Sequence, residues 1–502
     1  MDISLAHTTS SVNNRFFNYK PLRGNRVYFI GIGGNGMSAL ARILVSEGCI
    51  VAGSDILLSP LISSLEKIGV TVNSKQDGSM MSLETDMVIV SAAIQEGNPE
   101  LKVARQLGIK VVKYSQILGS LMQEKRGIAI SGTHGKTTTS AMISTILKKA
   151  ELDPTYVIGG EVPDIGGNAY LGKGNLFVAE ACEYNSSFLD LVPSIGVITN
   201  IDEDHLDYYG NLEEIVNAFG HFANLIAENG LLVVNDDDRN VAVAAKRAVC
   251  KRETYSLRHT SHWYAKKILP AVQGINKFRV YNRGKIFGDF RLKIPGSHNI
   301  LNALAAIAVC TSIGVDKEVI KTSLESFKGA KRRFQIVAIK NNITIIDDYA
   351  HHPTEIDVTL KAARELYPAR KIWCVYQPHQ YSRTRHLLKK LSESFYLADK
   401  VALADIYESR DNDFEKTSIS SLKLYEEIRK TGVDIQYYPQ MEHITDMLCL
   451  NAKPGDVIIT MGAGDIGKVA HEVAERIGTT HSAAFGCNQI RNTNIEIRNK
   501  FK

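Results

Sequence analysis

Three short apolar segments of this chain each run into a glycine-rich turn and then into an amphipathic stretch. RVYFI precedes GIGGNGMSALARIL, GIAIS precedes GTHGKTTTSAMISTIL, and DVIITM precedes GAGDIGKVAHEVAERI. Each of these segments is typical of a strand, a tight turn and a helix. Short apolar runs alternate with longer amphipathic stretches elsewhere too, a pattern typical of parallel sheets with crossover helices. The sequence therefore predicts an α/β fold.

The three glycine turns lie far apart in the chain, which favours three domains over one repeated unit. A length of 502 residues also suits three domains, at about 100–200 residues each. A charged break at Gln123–Lys125 and a basic, glycine-containing segment at Phe327–Arg333 are the predicted boundaries. We expect domains over residues 25–124, 125–331 and 332–477, with flexible polar tails over residues 1–24 and 478–502.

Composition narrows the class of partner to small molecules. The net charge is +5 with the charges interspersed, so no basic stripe suggests nucleic acid. No apolar run approaches the roughly 18 residues of a membrane span, and the N-terminus lacks a signal pattern. The seven cysteines are scattered without a C-x-x-C pair, which fits a reducing cytoplasm. We expect a cytoplasmic monomer or homodimer that binds neither membrane nor nucleic acid.

The first glycine turn has the spacing of a diphosphate-binding loop. Gly31, Gly33 and Gly36 form G-x-G-x-x-G between a predicted strand and helix, and Asp55 follows 19 residues after Gly36. In that context, backbone N–H groups and a helix N-terminus hold a diphosphate. The motif does not distinguish NAD, FAD and a UDP-sugar, and a tight turn without a ligand is a further possibility.

The second glycine turn resembles a phosphate loop that has been shortened. Gly132 lies four residues before Lys136, whereas the common pattern G-x-x-x-x-G-K-[ST] places the first glycine six residues before the lysine. Lys136 can still supply a positive charge to the β- and γ-phosphates, and the Thr137 hydroxyl can bind Mg²⁺. The sequence predicts a nucleoside triphosphate site here.

Acidic and histidine side chains follow two further predicted strands. Glu180 and Glu183 end one strand, and the stretch after the other holds Asn200, Asp204, His205 and Asp207. Strand ends beside a nucleotide loop are where α/β proteins place their chemistry. A carboxylate such as Glu180 suits Mg²⁺, which prefers oxygen ligands, whereas His205 taken alone is more typical of a loop histidine.

Several motifs occur together in a fixed order and carry a resemblance to a known family. They are GTHGKTTT, EACE, TNIDEDHLD, PGSHNILNALAA, KRRF and DDYAHHPTEI, followed by QPHQYSRTR. In this combination the chain resembles the Mur ligases of peptidoglycan synthesis over roughly residues 25–475. The shortened loop is similar to the variant with which that family holds ATP to make an acyl phosphate.

The resemblance implies three domains that bind a UDP-sugar, ATP and an amino acid, respectively. DDYAHHPTEI and QPHQYSRTR are most similar to the member of the family that joins L-alanine to UDP-N-acetylmuramate, with release of ADP and phosphate. The expected substrates are therefore ATP, UDP-N-acetylmuramate and L-alanine, with Mg²⁺ as the metal. Lys136, His205, Arg333, Asp348 and His351 are the implied catalytic residues.

The resemblance also assigns binding roles to individual positions. The implied ATP site comprises Gly132, Thr133, His134, Gly135, Lys136, Thr137, Thr138, His298, Asn302, Arg333 and Asp348. The implied Mg²⁺ ligands are Thr137, Glu180 and His205, and the implied amino-acid site comprises Tyr349, His351 and Arg383, with Arg385 as a weaker candidate. The implied UDP-sugar site comprises Gly33, Gly34, Asn35, Gly36, Ser54, Asp55 and Ser91.

The chain departs from the family pattern at three of these motifs. Cys182 and Asn185 replace carboxylates found in some members, and Gln380 stands where some members carry an arginine. Arg383 is then expected to bind the amino-acid carboxylate with less support. The stretch after His205 contains no lysine, so the carbamylated lysine of several Mur ligases is not expected.

Other interpretations remain open at the sequence level. A related ligase that attaches a recycled tripeptide to UDP-N-acetylmuramate would share the ATP machinery. An NAD-dependent oxidoreductase would use the first glycine turn but would leave the second unexplained, and a non-catalytic nucleotide-binding module would not need the acidic clusters. Locally, Asn302 could be helix interior, Arg332–Arg333 a solvated hinge pair, and Glu183 a residue that only positions its neighbours. His351–His352 could be a metal pair, although adjacent residues on an extended chain point apart.

Overall fold

The computed structural model describes residues 23–56, 60–272, 274–409 and 411–477. Within these residues the chain divides into two compact units, one ending at Lys331 and the other beginning at Arg332. The predicted tails over residues 1–24 and 478–502 lie almost wholly outside the described residues. Among the described residues, no helix is long and apolar enough to cross a membrane.

The first unit begins with a five-stranded parallel sheet in the order β3-β2-β1-β4-β5. The order reverses between β1 and β4, so the turn after β1 opens at a crevice where α/β proteins bind ligands. The strands are β1 Arg26–Ile30, β2 Ile50–Ser54, β3 Thr71–Asn73, β4 Met87–Val90 and β5 Lys110–Lys113, and the helices are α1 Asn35–Ser46, α2 Pro60–Glu66, α3 Pro99–Gln106 and α4 Tyr114–Gln123.

A ten-stranded sheet completes the first unit, in the order β15-β14-β13-β12-β11-β10-β6-β9-β7-β8. The strands from β13 to β7 are parallel, and antiparallel strands lie at both edges. The strands are β6 Arg126–Ser131, β7 Thr155–Val162, β8 Gly167–Tyr170, β9 Leu176–Glu180, β10 Ile195–Ile198, β11 Leu231–Asn235, β12 Lys251–Ser256, β13 Trp263–Val272, β14 Ile275–Asn282 and β15 Lys285–Leu292. The helices are α5 Lys136–Lys149, α6 Leu212–Leu225, α7 Arg239–Ala244, α8 Ser297–Ile313 and α9 Lys317–Ser326.

The second unit is built on a six-stranded sheet in the order β16-β17-β21-β18-β19-β20. All neighbours are parallel except the β16–β17 hairpin. The strands are β16 Gln335–Lys340, β17 Ile343–Asp348, β18 Ile372–Tyr376, β19 Lys400–Leu403, β20 Ile435–Tyr437 and β21 Val457–Met461. The helices are α10 Pro353–Leu366, α11 Tyr381–His386, α12 Leu388–Ser392, α13 Asp413–Ser418, α14 Ser421–Lys430, α15 Met441–Asn451 and α16 Gly467–Arg476.

The predicted α/β class and the three strand–turn–helix segments are confirmed. β1 leads into α1, β6 into α5, and β21 into α16. Helices α5 and α8 pack against each other and are buried on nearly all sides, which is expected of helices in the centre of a large unit. Because β6 lies between β9 and β10 in the sheet, the segments after these three strands meet at one edge.

Helix α4 approaches its neighbour so closely that one position has no room for a side chain. A Cβ at Gly119 would lie 2.1 Å from the backbone oxygen of Asp190, in the short helical segment Tyr184–Asp190. Such a clash with backbone cannot be relieved by a rotamer change.

We therefore expect Gly119→Ala to destabilise the protein by about 2 kcal/mol, although alanine would gain about 1 kcal/mol in an exposed helix. Denaturant unfolding of the purified variant measures this. Gln123→Ala, at an exposed position of the same helix, is the matched control and should stay close to the wild type. A Gly119→Ala protein as stable as that control would contradict the packing described for α4.

Candidate active site

The phosphate loop, residues 132–138, joins β6 to α5 and is closed by two glycines with positive φ. Gly132 has φ +129° and Gly135 has φ +84°. A Cβ at Gly132 would lie 1.9 Å from Thr199 Oγ1, and a Cβ at Gly135 would lie 2.6 Å from Asn302 Oδ1. Only glycine combines this backbone with so close an approach. Side chains of Thr199 and Asn302 therefore leave no room for a Cβ at either position.

The segment after β10 fixes the shape of the phosphate loop. The Asn200 backbone oxygen accepts a hydrogen bond from Thr133 N at 3.0 Å, and its side-chain oxygen accepts one from His134 N at 2.8 Å. Asn200 Nδ2 and Thr199 Oγ1 both donate to the His134 oxygen, at 2.9 and 2.6 Å. Asp202 N donates to Thr133 Oγ1 at 2.9 Å. Asn200, which its sequence context marked without a role, thus holds the backbone of the phosphate loop.

Lys136 lies at the N-terminus of α5 and is held by a buried carboxylate. Its Nζ donates to both oxygens of Glu183, at 3.0 and 2.8 Å, and to the backbone oxygens of Gly132 and Thr133. Glu183 is 3 % exposed. Burial lowers the pKa of Lys136, but the Glu183 carboxylate outweighs it and raises the pKa above its ordinary value. Lys136 therefore stays charged, and Glu183 does more than position its neighbours.

Two oxygen-bearing side chains of the implied metal site lie against adjacent glycines of β7. Glu180 Oε1 accepts a hydrogen bond from Gly159 N at 2.5 Å. A Cβ on Gly160 would lie 3.0 Å from the Thr137 methyl group. Both side chains thus lie along β7, and their oxygens are the hard ligands that Mg²⁺ prefers.

His205 follows β10 in a backbone conformation that is unusual for a residue with a Cβ. Its φ is +54°, and its N–H donates to Asp204 Oδ1 at 2.7 Å. Its ring lies 5.0 Å from the Tyr184 ring and is 13 % exposed. Such strain is retained when the surroundings fix the residue, and it is frequent at functional sites.

Helix α8 reaches the phosphate loop through its first two turns. Asn302 is 6 % exposed and donates to Asn299 Oδ1 at 3.2 Å, while its own Oδ1 faces Gly135. Asn299 in turn donates to the Pro295 oxygen at 2.6 Å. His298 lies half-buried in the same turn. Asn302 is therefore helix interior, and it is also the neighbour that requires a glycine at position 135.

The first glycine loop, residues 31–36, is held by the end of β2. The Ser54 backbone oxygen accepts from Gly31 N and Ile32 N, at 2.9 and 3.0 Å. Asp55 Oδ2 accepts from Gly33 N at 2.8 Å. Ser54 is fully buried and its hydroxyl donates to Glu100, so Ser54 acts on the loop only through its backbone bonds to Gly31 and Ile32.

The first glycine loop also has neighbours after β4, in α4 and in β8 of the ten-stranded sheet. The Ser91 Cβ would lie 3.2 Å from a Cβ at Gly31, and Asn168 Nδ2 donates to the Asn35 oxygen at 3.1 Å. The Tyr114 hydroxyl would lie 3.1 Å from a Cβ at Gly36. Burial raises the pKa of Tyr114, and the nearby Glu180 carboxylate raises it further. Tyr114 thus lies between the first glycine loop and Glu180, a position that its sequence context did not reveal.

In the second unit, two arginines enclose the Tyr349 ring. The guanidinium carbons of Arg332 and Arg333 each lie 5.1 Å from the ring centroid. Arg332 also donates to Asp347 Oδ2 at 2.9 Å and to the oxygens of Gly462 and Gly464. The interpretation of Arg332 as a solvated hinge charge is therefore wrong, because its guanidinium ties β17 to the turn after β21.

Asp348 ends β17 as a buried carboxylate. It accepts hydrogen bonds from Phe334 N at 2.6 Å and Ala350 N at 2.7 Å and is 6 % exposed. Burial raises its pKa to about 6, although Arg333 and the two backbone donors act in the opposite direction. Asp348 therefore fixes the backbone directly after Arg333 and directly after Tyr349.

His351, His379 and Arg383 form one cluster at the carboxyl ends of β17 and β18. His351 Nδ1 lies 3.0 Å from the Tyr349 oxygen and 3.2 Å from Glu355 Oε2. Two acceptors at Nδ1 place the ring proton on that nitrogen. The His351 and His379 rings are 5.7 Å apart, and Arg383 Nη1 donates to His379 Nδ1 at 3.1 Å.

His352 and Gln380 have structural partners of their own. His352 Nδ1 accepts from Thr354 N at 3.2 Å and caps α10. Gln380 is 2 % exposed, and its Nε2 donates to the Ser409 oxygen at 2.9 Å. Position 380 therefore points into the loop after β19 and not into the cluster around Arg383.

The structure thus brings the predicted residues together in groups. Lys136 lies beside Glu183, and Asn302 packs against Gly135 of the phosphate loop. The second unit gathers Tyr349, His351 and Arg383 around His379. His379 and Tyr407, whose rings stack at 5.7 Å, were not predicted. His379 lies four residues before Arg383 within QPHQYSRTR, which was the available signal, whereas nothing in the sequence marked Tyr407.

A phosphate loop beside the carboxylates of Glu180 and Glu183 is typical of enzymes that use a nucleoside triphosphate. Comparisons with known proteins identify the family. Three family models match the chain. They are the Mur ligase family catalytic domain over residues 26–126, the Mur ligase middle domain over residues 130–310, and the Mur ligase glutamate ligase domain over residues 332–464. The chain belongs to the Mur ligase family, as the motif order had indicated.

Individual relatives cover nearly the whole chain. It is 44% identical over 451 residues to a UDP-N-acetylmuramate–L-alanine ligase of Caldanaerobacter subterraneus, covering 90% of this chain and 97% of that protein. It is 46% identical over 452 residues to a ligase of the same name from Acetivibrio thermocellus, with 89% and 95% covered.

Solved structures agree with this assignment. The UDP-N-acetylmuramate–alanine ligase of Thermotoga maritima superposes with a TM-score of 0.77 at 29% identity, covering 90% of this chain and 98% of that one. A murein peptide ligase of Psychrobacter arcticus superposes with a TM-score of 0.70 at 26% identity, covering 92% and 100%. The three-domain Mur ligase architecture is thereby confirmed.

The buried Asp348 carboxylate leads to a prediction about pH. Because its pKa is raised from 3.8 to about 6, the folded protein binds more protons than the unfolded chain between these values. The stability contributed at this site therefore falls as pH rises from about 4 to 6, by up to about 3 kcal/mol. Asp348→Asn, which does not titrate, should lack this fall.

Denaturant unfolding followed by tryptophan fluorescence measures the difference between the two proteins at pH 4.5, 5.5 and 6.5. A Trp263→Phe background leaves Trp373, in the unit that contains Asp348, as the single tryptophan. The stability of the aspartate protein relative to the asparagine protein should decrease across this series. A difference that does not change with pH would show that Asp348 is not shifted.

Proposed function

We propose that the chain is an ATP-dependent ligase that joins L-alanine to the lactyl carboxylate of UDP-N-acetylmuramate in peptidoglycan precursor synthesis. The observation that carries this proposal is a phosphate loop whose Lys136, at the start of α5, pairs with the buried Glu183 after β9, in a member of the Mur ligase family. Full-length relatives that bear the name of this activity at 44% and 46% identity support the choice of substrate. We further propose that it acts in the cytoplasm as a monomer or homodimer.

ATP binds through its phosphates to residues 132–138 in this proposal. The N-terminus of α5 presents unpaired N–H groups and a partial positive charge, and Lys136 adds a full one. His298 and Asn302 of α8 contact the base or ribose, and Arg333 and Asp348 of the second unit also take part in ATP binding. Lys136, now bonded to loop oxygens and Glu183, exchanges a carbonyl partner for phosphate oxygen while Glu183 keeps it in place.

Thr137, Glu180 and His205 are the proposed Mg²⁺ ligands. Two of the three supply oxygen, and the phosphates of ATP supply more, as is usual for this ion. When bound, Mg²⁺ neutralises charge on the transferred phosphoryl group. Glu180 lies close enough to Lys136 to raise its pKa, which supports its place beside the phosphate loop.

The first glycine loop is proposed to hold the UDP-sugar. Gly34, Asn35 and Gly36 lie at the start of α1 and present backbone N–H groups to a diphosphate, while Gly33, held by Asp55, forms the turn before them. Asp55 and Ser91 flank the loop, and Ser54 acts through its backbone. The predicted domain boundaries at residues 124/125 and 331/332 remain part of the proposal.

The amino-acid site is proposed to lie in the cluster of Tyr349, His351 and Arg383. An arginine fork holds a carboxylate with charge-assisted hydrogen bonds. With its proton on Nδ1, a neutral His351 carries its lone pair on Nε2, and this nitrogen is suited to accept a proton from the incoming ammonium group.

The chemistry follows from the poor reactivity of a carboxylate. Transfer of the γ-phosphoryl group to the lactyl carboxylate gives an acyl phosphate and ADP. The neutral amine of alanine then attacks the acyl carbon, its proton passes to a base, and phosphate leaves as the amide forms. Fixed cations such as Lys136 stabilise the charge that develops in both steps.

A ligase that attaches a tripeptide instead of alanine is the second candidate, and the murein peptide ligase fold keeps it in consideration. Phosphate release in the presence of ATP, Mg²⁺ and UDP-N-acetylmuramate discriminates the two. We expect release with L-alanine and little with the tripeptide L-alanyl-γ-D-glutamyl-meso-diaminopimelate. Release with the tripeptide alone would overturn the alanine assignment.

Lys136→Ala should lower turnover by orders of magnitude while retaining UDP-sugar binding.

The metal assignment predicts a changed requirement for Mg²⁺. Glu180→Gln and His205→Ala each remove one proposed ligand from a weakly held ion. The Mg²⁺ concentration that gives half-maximal activity should rise in both variants, as measured by titration at saturating ATP. Asp207→Asn, in the same segment as His205, serves as the control. Unchanged titrations in both ligand variants would place the metal elsewhere.

The amino-acid assignment predicts a selective effect of Arg383→Ala. A lost charge-assisted hydrogen bond costs about 1.5–3 kcal/mol, or roughly 10- to 150-fold in binding. The apparent KM for L-alanine should rise by at least the lower figure, and the KM for ATP should move less. Arg385→Ala, at the weaker candidate in the same helix, should raise the KM for L-alanine less than Arg383→Ala does. Equal weakening of ATP and alanine would contradict the carboxylate role.

A further inference from the structure

Glu100 is a fully buried carboxylate that none of the proposed binding roles uses. It lies in the first turn of α3, where the Asn98 side chain caps Glu100 N at 2.9 Å and Leu101 N at 3.4 Å. A carboxylate at a helix N-terminus is favoured by the helix dipole. Complete burial of an acid is nevertheless costly unless every oxygen is hydrogen-bonded.

Both oxygens of Glu100 are engaged by the sheet that carries the first glycine loop. Tyr28 of β1 donates its hydroxyl to Oε1 at 2.7 Å, and Ser54, the last residue of β2, donates to Oε2. The backbone N–H of Gly78 is a third donor. Burial raises the pKa of Glu100, and these hydrogen bonds act against the rise. The side chains of Tyr28 and Ser54 are themselves buried.

The Ser54 end of this network leads directly to the loop. The backbone oxygen of Ser54 accepts from Gly31 N and Ile32 N, and the next residue, Asp55, accepts from Gly33 N. Residues 54 and 55 therefore bind three consecutive N–H groups of the first glycine loop. Any displacement of Ser54 moves the backbone that presents the loop to a ligand.

We propose that Glu100 is a positioning residue for the nucleotide-sugar site, holding Ser54 so that the first glycine loop keeps the shape that binds diphosphate. This inference rests on the proposed function, which places the UDP-sugar at that loop. Glu100 cannot contact the ligand because it is fully buried, so it acts through Ser54. The Tyr28 branch of the network anchors the same carboxylate to β1 but does not reach the loop.

This arrangement predicts that a substitution at Glu100 weakens the binding of UDP-N-acetylmuramate much more than it changes the KM for ATP. Glu100→Gln keeps the size of the side chain and an oxygen that can accept from Tyr28, but it replaces the oxygen that accepts from Ser54 with an amide NH2 group, which cannot accept. We expect UDP-N-acetylmuramate to bind about 10-fold more weakly, as for the loss of one hydrogen bond. The KM for ATP should stay within about twofold, because the phosphate loop lies on the other sheet.

The test is isothermal titration calorimetry of UDP-N-acetylmuramate into the full-length wild type, Glu100→Gln, Ser54→Ala, the double variant and Tyr28→Phe. Thermal unfolding shows that each variant is folded. We expect Glu100→Gln and Ser54→Ala to weaken binding similarly, and the double variant to be no weaker than the worse single one. Tyr28→Phe, which removes a hydroxyl from the same carboxylate, should affect stability more than binding.

The outcomes separate this inference from the function on which it rests. If the wild type does not bind UDP-N-acetylmuramate, the proposed function fails and the inference fails with it. If the wild type binds and folded Glu100→Gln binds equally well, only the positioning role of Glu100 is overturned. An equal loss in Tyr28→Phe would also overturn it, because a general loosening of the sheet would then explain the effect.

Discussion

The ion pair between Lys136 and Glu183 is the interaction around which the first unit is organised. The ammonium group of Lys136 must be held in one position to bind phosphate, and because it is buried it needs a partner of opposite charge. Glu183 supplies it from the segment after β9, while Thr199 and Asn200 after β10 shape the loop backbone. The pair is possible because β6 lies between β9 and β10 in the sheet. The shape of the phosphate loop, the position of Lys136 and the position of Glu183 thus depend on one strand order.

In the second unit, hydrogen bonds and ring contacts hold two arginines in fixed positions. Arg332 joins the ends of β17 and β21, Asp348 fixes the backbone around Arg333, and the Tyr349 ring lies between the two guanidinium groups. Arg332 and Phe334 both have positive φ, so this short segment is strained as well as tightly bonded. Strain held in place by many contacts is characteristic of residues whose position matters for function.

Much of this could be predicted from sequence because the signals are local. Strand, glycine turn and helix are adjacent in the chain, so β6, the phosphate loop and the start of α5 at Lys136 were all predicted correctly. The contacts between segments could not be predicted from spacing alone. Which partner Glu183 takes, why Gly135 must face Asn302, and why Gln380 turns away from Arg383 depend on strand order and register. The buried bond from Ser54 to Glu100 likewise joins residues 46 positions apart.

In the proposed reaction, the lactyl carboxylate is activated by phosphorylation before alanine attacks. Mass spectrometry of the phosphate released from UDP-N-acetylmuramate labelled with ¹⁸O in that carboxylate tests it most directly. Formation of an acyl phosphate followed by amide formation leaves one carboxylate oxygen on the departing phosphate. We therefore expect one ¹⁸O atom per phosphate released in the presence of L-alanine. Unlabelled phosphate accompanying amide formation would contradict it.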